Sequence, residues 1–274
     1  MVSHPFDAGI EPLVPTRPAP LHPELGQPPH TYAGGCPSFE EGGEGRVSVS
    51  GRLGSVIQAL VFDFDGLMLD TEGPLVESWR VIYERCGVEP LSIEEWAGSL
   101  GLDDQDPAKL DPLGRLEQLT GGPVPEQLQE ERRRIRDEIV DAEPIRPGVE
   151  ALLDQAGVLG VPVGVASSSP ISWIERHLGP RGMLDRFAAI SCAGDGVRGK
   201  PDPATYALAC ERLDATPTRS VALEDSPNGI RAAKAAGMTC IAVPNGVSRD
   251  LDVTHADLVV STLLEIDLAT LDLG

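Results

Sequence analysis

From residue 56 onward, apolar residues fall in short runs that alternate with stretches where they recur every three or four positions. The runs Val56 to Phe62, Val161 to Ala166, Ala188 to Ala193, Ser220 to Leu223, Cys240 to Val243 and Asp257 to Val260 each predict a buried strand. The periodic stretches 148–157, 170–179, 203–213 and 227–236 predict helices between them. Such alternation predicts an α/β fold, a doubly wound parallel sheet with helices on both faces. Ser169-Pro170, Asp202-Pro203 and Ser226-Pro227 each place a capping side chain before a proline, the signature of a helix start. In an open sheet these starts gather at the carboxyl edge of the strands, beside the topological switch point, and their free N–H groups suit an anion.

One connection breaks the rhythm. About a hundred residues separate the first strand from the second, where a crossover needs only a dozen or so. Residues 73–143 read as helical, with Leu75, Trp79, Ile82 and Tyr83 at helical spacing, then Ile93 to Leu100, Leu113 to Leu119 and Gln127 to Val140. An insertion at this point is expected to cover the crevice as a cap. Residues 1–54 hold nine Pro and nine Gly without periodicity and are expected to form a disordered tail. The expected division is a tail over 1–54, an α/β core over 55–72 and 144–274, and a helical cap over 73–143.

Composition narrows the partners. Lys plus Arg number 22 against 43 Asp plus Glu, a net charge of −21, and no basic stripe offsets it. A phosphate backbone would be repelled, so nucleic acid is not an expected partner. No run approaches the ~18 apolar residues of a membrane span, and no basic-then-apolar leader opens the chain, so a cytoplasmic protein without a membrane partner is expected, a monomer by preference. Cys36, Cys86, Cys192, Cys210 and Cys240 are scattered and lack a CxxC pair, which points to free thiols.

The chemistry gathers at the strand ends. The first strand runs into Asp63-Phe64-Asp65-Gly66-Leu67-Met68-Leu69-Asp70-Thr71-Glu72. Asp63 and Asp65 project to one side while the chain is extended, and Gly66 lets the backbone turn close to a ligand. Two carboxylates ~4 Å apart repel by roughly 4 kcal/mol at an effective dielectric of 20, so the pair requires a cation, a shared proton, or both. The second strand ends at Ser167-Ser168-Ser169, the third is followed by Lys200, and the fourth ends at Glu224-Asp225. Acid pair, hydroxyl, lysine and second acid pair therefore meet at one sheet edge.

In this order the four motifs resemble the haloacid dehalogenase-like phosphohydrolase superfamily, most closely the branch of β-phosphoglucomutase and small sugar-phosphate phosphatases. The resemblance spans roughly residues 56–262, with DFDGLMLDTE its most specific part, and implies a Rossmann-like core with an inserted helical cap. It implies Asp63 as nucleophile, Asp65 as general acid and base, and Mg²⁺ held by Asp63, the Asp65 backbone carbonyl and Asp225, with Glu224 adjacent. Ser167 and Lys200 would grip the phosphoryl oxygens, helped by backbone N–H groups about Gly66 and Ser168. An oxygen-only site of this kind suits Mg²⁺ rather than zinc.

Three other readings use the same residues. A sugar phosphomutase shares the core, but the position where its pattern has a His holds Leu75 here, and Gly98 to Asp104 lacks its Arg, leaving Arg80, Lys109 and Arg115 as other cap cations. Cys192 to Arg198 has the C-x5-R spacing of cysteine phosphatases, yet Asp195 would set a negative charge inside that loop. A sugar-phosphate-binding protein without turnover would be expected to lack one acid of the first motif, and both are present. His177 and His255 are isolated, so surface or helix-end positions are expected for them. The expected substrate is a small phosphate ester, a sugar or polyol phosphate.

Overall fold

The computed structural model describes residues 57–102 and 106–271. The expected tail, residues 1–54, lies outside them. All described residues belong to one compact unit. Six strands form one wholly parallel sheet in the order β3-β2-β1-β4-β5-β6, where β1 is Ala59–Phe62, β2 Val163–Pro170, β3 Ala189–Ala193, β4 Ser220–Glu224, β5 Thr239–Ala242 and β6 Leu258–Val259.

Four helices follow β1: α1 (Glu72–Arg85), α2 (Ile93–Ala97), α3 (Pro112–Thr120) and α4 (Glu126–Ala142). The crossovers of the sheet are α5 (Val149–Leu159), α6 (Ile171–Leu178), α7 (Ala204–Arg212) and α8 (Pro227–Ala235). The period-two alternation of the strands sorts side chains into two layers. Leu60, Phe62, Val163, Val165, Val221, Leu223 and Ile241 pack with Leu152, Ala156, Ile174 and Leu178 of α5 and α6. Ala59, Val61, Ala222, Cys240 and Ala242 pack with Ala209 of α7 and Ala232 and Ala233 of α8. Small residues on this second side bring the helices close to the sheet.

The helix starts differ from expectation at two places. Ser226 caps α8 by accepting from the Gly229 N–H, with Pro227 in the first turn. At Ser169-Pro170 the strand continues through Pro170, which takes the cap position, so α6 begins at Ile171 without a side-chain cap, and the Ser169 hydroxyl donates to Asp65. Before α7, Asp202 accepts from Ala204 N–H at 2.9 Å, but Pro203 takes the cap position.

The helical insertion leaves and rejoins the core at one point. Leu69 bridges Ile145 in antiparallel fashion, and Arg146 N–H donates to Met68 O at 2.9 Å. No described helix is long and apolar enough to cross a membrane.

Candidate active site

The strand order reverses beside β1, so the crevice of this sheet opens at the carboxyl ends of β1 and β4. β1 stops at Phe62, and the chain steps out of the sheet at Asp63, whose N–H still donates to Leu223 O at 2.9 Å. Asp63 is 6% exposed and its side-chain Oδ1 accepts from Lys200 Nζ. Lys200 is 1% exposed; Nζ also donates to Glu224 Oε1 at 2.6 Å and lies 4.9 Å over the Tyr206 ring. Glu224 is occupied on both oxygens. Oε1 accepts from Lys200 and from Tyr206 Oη at 2.8 Å, and Oε2 from the N–H groups of Asp225 and Ser226 and the Ser226 hydroxyl. Asp225 Oδ2 accepts from Asn245 Nδ2 at 2.6 Å, whereas its Oδ1 is buried with no hydrogen-bond partner.

One oxygen each of Asp63, Glu224 and Asp225 lie within 4.8 Å of one another. Three buried carboxylates facing one ammonium are under-neutralised, and the carboxyl groups respond. Burial first, then the charges of Glu224 and Asp65, push Asp63 well above the usual range against the pull of Lys200. Burial, Glu72 and Asp63 do the same to Asp225. Glu72 is pushed from 4.5 to about 8 by burial, opposed by its hydrogen bond from Asn245. On Lys200 burial pulls down, but Asp63 and Glu224 outweigh it and the ammonium is held charged. A hard dication fits this donor set: all ligands are oxygen, the excess charge is negative, and Asp225 Oδ1 has no other donor.

Asp65 has different neighbours. Its Oδ1 accepts from Thr71 Oγ1 at 2.8 Å and Trp173 Nε1 at 2.9 Å, and its Oδ2 from Ser169 Oγ at 2.6 Å and Ser167 Oγ at 3.3 Å. All four donors are neutral. The alternation that would aim Asp63 and Asp65 alike stops with the strand at Phe62, so the carboxylates are hydrogen-bonded to separate sets of partners.

Gly66 sits between the two groups at φ +81°, and a Cβ there would lie 2.5 Å from both Asp225 Oδ2 and Asn245 Nδ2. Its N–H is donated to Leu69 O at 2.8 Å; its carbonyl accepts from the Arg146 guanidinium and from Asn245 Nδ2 at 3.2 Å. Ser168 turns toward the insertion and donates to Gly101 O at 3.0 Å. Asn228 Nδ2 donates to Leu100 O at 2.7 Å, so the loop after α2 is pinned across the ends of β2 and β4.

The structure thus brings Asp63, Lys200, Glu224 and Asp225 together, sets Gly66 against Asp225, and joins Ser167 to Asp65. Ser169 and Glu72, which close the second strand and the first motif, also belong to this arrangement, and so do Trp173, Tyr206 and Asn245, which were not expected there. Asn245 follows β5 at the same edge as the expected residues, which is the signal that could have found it. Two of the cap cations are engaged elsewhere: Arg80 pairs with Glu77 and Glu84, and Arg115 with Glu95. His177 lies at a helix end, in the last turn of α6, but is buried rather than at the surface: its ring packs against Phe64 and Trp173, with Nδ1 3.5 Å from Asp141 Oδ1.

A model of haloacid dehalogenase-like hydrolases matches residues 57–237. The chain belongs to the haloacid dehalogenase-like hydrolase family. Within the family it is 40% identical over 218 residues to the YhcW protein of Bacillus subtilis (strain 168), covering 79% of this chain and 96% of that one. It is 32% identical to hexitol phosphatase B of Escherichia coli (strain K12), covering 77% and 94%. The crystal structure of CbbY from Rhodobacter sphaeroides in complex with phosphate superposes with a TM-score of 0.62 at 29% identity, over 78% of this chain and 99% of that one. Cysteine chemistry does not compete in this hydrolase. Burial and Asp195 push the Cys192 thiol up when a thiolate would be needed, Asp195 is bound by Arg212, and the Arg198 side chain is 87% exposed.

Proposed function

We propose that the chain is a Mg²⁺-dependent phosphatase that hydrolyses a small sugar or polyol phosphate through an aspartyl-phosphate on Asp63. The observation that carries this reading is the division of labour between two carboxylates two residues apart: Asp63 lies in the buried cluster with Lys200 and Asp225, and Asp65 lies on neutral donors beside it. Hexitol phosphatase B among the relatives, and phosphate bound to the similar CbbY structure, support the substrate class.

In this reading Asp63 attacks phosphorus while Lys200 and Ser167 hold the phosphoryl oxygens. Asp65, freed from its hydroxyl donors as needed, gives a proton to the leaving oxygen and then takes one from water. Asp63, the Asp65 carbonyl and Asp225 would hold Mg²⁺, which when bound offsets the repulsion between anionic nucleophile and anionic ester. Glu224, already met by five donors, orients Lys200 beside that set. Residues 73–143 act as a cap on a core of 55–72 and 144–274, closing the crevice through the Leu100–Gly101 contacts.

Asp63→Asn keeps the size of the side chain and removes the nucleophile, so it is expected to abolish Mg²⁺-dependent phosphate release from p-nitrophenyl phosphate at an unchanged melting temperature. Cys192→Ser is expected to retain most of the rate. Loss in the serine variant with turnover surviving in Asp63→Asn would overturn the aspartate mechanism.

A further inference from the structure

Trp173 stands where the core and the insertion meet. Its indole N–H donates to Asp65 Oδ1 at 2.9 Å, while the Arg136 guanidinium of α4 lies 4.6 Å over its ring. His177, one turn along α6, packs edge-on against the indole with ring centroids 4.2 Å apart. The seam around this stack is ionic. Asp137 accepts from Arg136 at 2.8 Å and from Arg176 of α6 at 2.6 Å, and Asp141 accepts from Arg176 at 3.2 Å. Arg181, just beyond α6, donates to the carbonyls of Val140, Asp141 and Glu143 at the end of α4. Helix α4 is thereby fastened to α6, and the indole is held between Arg136 over its ring and the edge-on His177.

We propose that Trp173 is a positioning residue that ties the orientation of Asp65 to the seating of α4. The inference rests on the reading of Asp65 as the proton donor and acceptor. The three other donors to Asp65 are hydroxyls, which rotate freely and can equally accept a proton in the bond. An indole N–H only donates, in a direction fixed by the ring, so it alone sets which way the carboxylate faces. Because Arg136 covers that ring, displacing α4 loosens the indole and with it Asp65. The indole N–H donates to Asp65 and not to Lys200 or Ser167, the proposed phosphoryl grips, so its loss is felt in the rate of proton transfer rather than in binding.

The test compares Trp173→Phe, which keeps a ring beneath Arg136 and removes the N–H, with wild type on phenyl phosphate, a poor leaving group, and p-nitrophenyl phosphate, a good one. For phenyl phosphate kcat/KM, which reports the phosphorylating step and excludes the shared hydrolysis of the aspartyl-phosphate, is expected to fall by about tenfold at unchanged melting temperature, and for p-nitrophenyl phosphate by much less. Arg136→Gln is expected to show a smaller loss with the same leaving-group dependence. A second measurement needs no stable Trp173 variant: the Trp173 indole N–H resonance should move in Asp65→Asn far more than those of Trp79 and Trp96. An equal loss on both esters, or a Trp173 resonance that stays still, overturns the assignment. If Asp65→Asn itself turns over phenyl phosphate normally, the functional reading of Asp65 fails; if that variant is impaired and Trp173→Phe is not, only the positioning role fails.

Discussion

Gly66 is the residue on which the metal-capable cluster closes. At φ +81° a side chain is strained, and here its Cβ would enter the contact between Asp225 and Asn245. Gly66→Ala is expected to cost about 1–2 kcal/mol in stability from the left-handed backbone alone. Displacement of Asp225 should remove most of the Mg²⁺-dependent rate, measured by urea unfolding and phosphate release. A variant with wild-type rate would show that Asp225 tolerates the shift and is not held by this approach. Such contacts separate what a sequence displays from what it conceals. Asp63, Asp65 and Glu224-Asp225 were legible because they lie at the ends of readable strands, and Lys200 because it stands in the loop that follows the third. Trp173 and Asn245 were not, because their hydrogen bonds depend on how the chain turns after β2 and β5, and no local pattern specifies that. His177 does lie at a helix end, in the last turn of α6, but a lone His gives no sign that it occupies the buried face.

Among the elements, the strands and crossover helices followed from apolar runs and 3.6-residue periodicity, with ends off by a few residues. The larger departure is β2, which runs on to Pro170 where a helix cap was expected, and so carries Ser167 and Ser169 to Asp65. A cap signature shows that a hydroxyl is available but not where the chain carries it. The loop after α2 had no signature at all, yet it holds the insertion over the crevice through Gly101 O and Leu100 O. Asn228→Ala removes the second of these bonds at a cost of about 1 kcal/mol, or roughly fivefold, to the closed arrangement. It is expected to raise KM by that factor with kcat little changed in steady-state assays. A fall in kcat with KM intact would place the contact in the chemical step instead.

At the scale of the whole molecule, the buried acids couple the site to folding. Asp63, Asp225 and Glu72 hold protons in the fold that they release when unfolded, because burial raises all three. The stability they contribute is present at low pH and is lost as pH rises, for Glu72 between 4.5 and about 8. A dication competes with those protons. Mg²⁺ is therefore expected to raise the melting temperature more at pH 8 than at pH 5, and the difference between scans with and without Mg²⁺ cancels the titration of acids elsewhere. An increment independent of pH would separate the cation from this cluster. Topology has a consequence of another kind. Since Leu69 and Ile145 meet side by side, the core sees the helices between them as a loop whose ends are already closed. The four described helices between them thus form a cassette in outline, and exchanging them for helices of another shape is expected to leave the register of every strand unaltered.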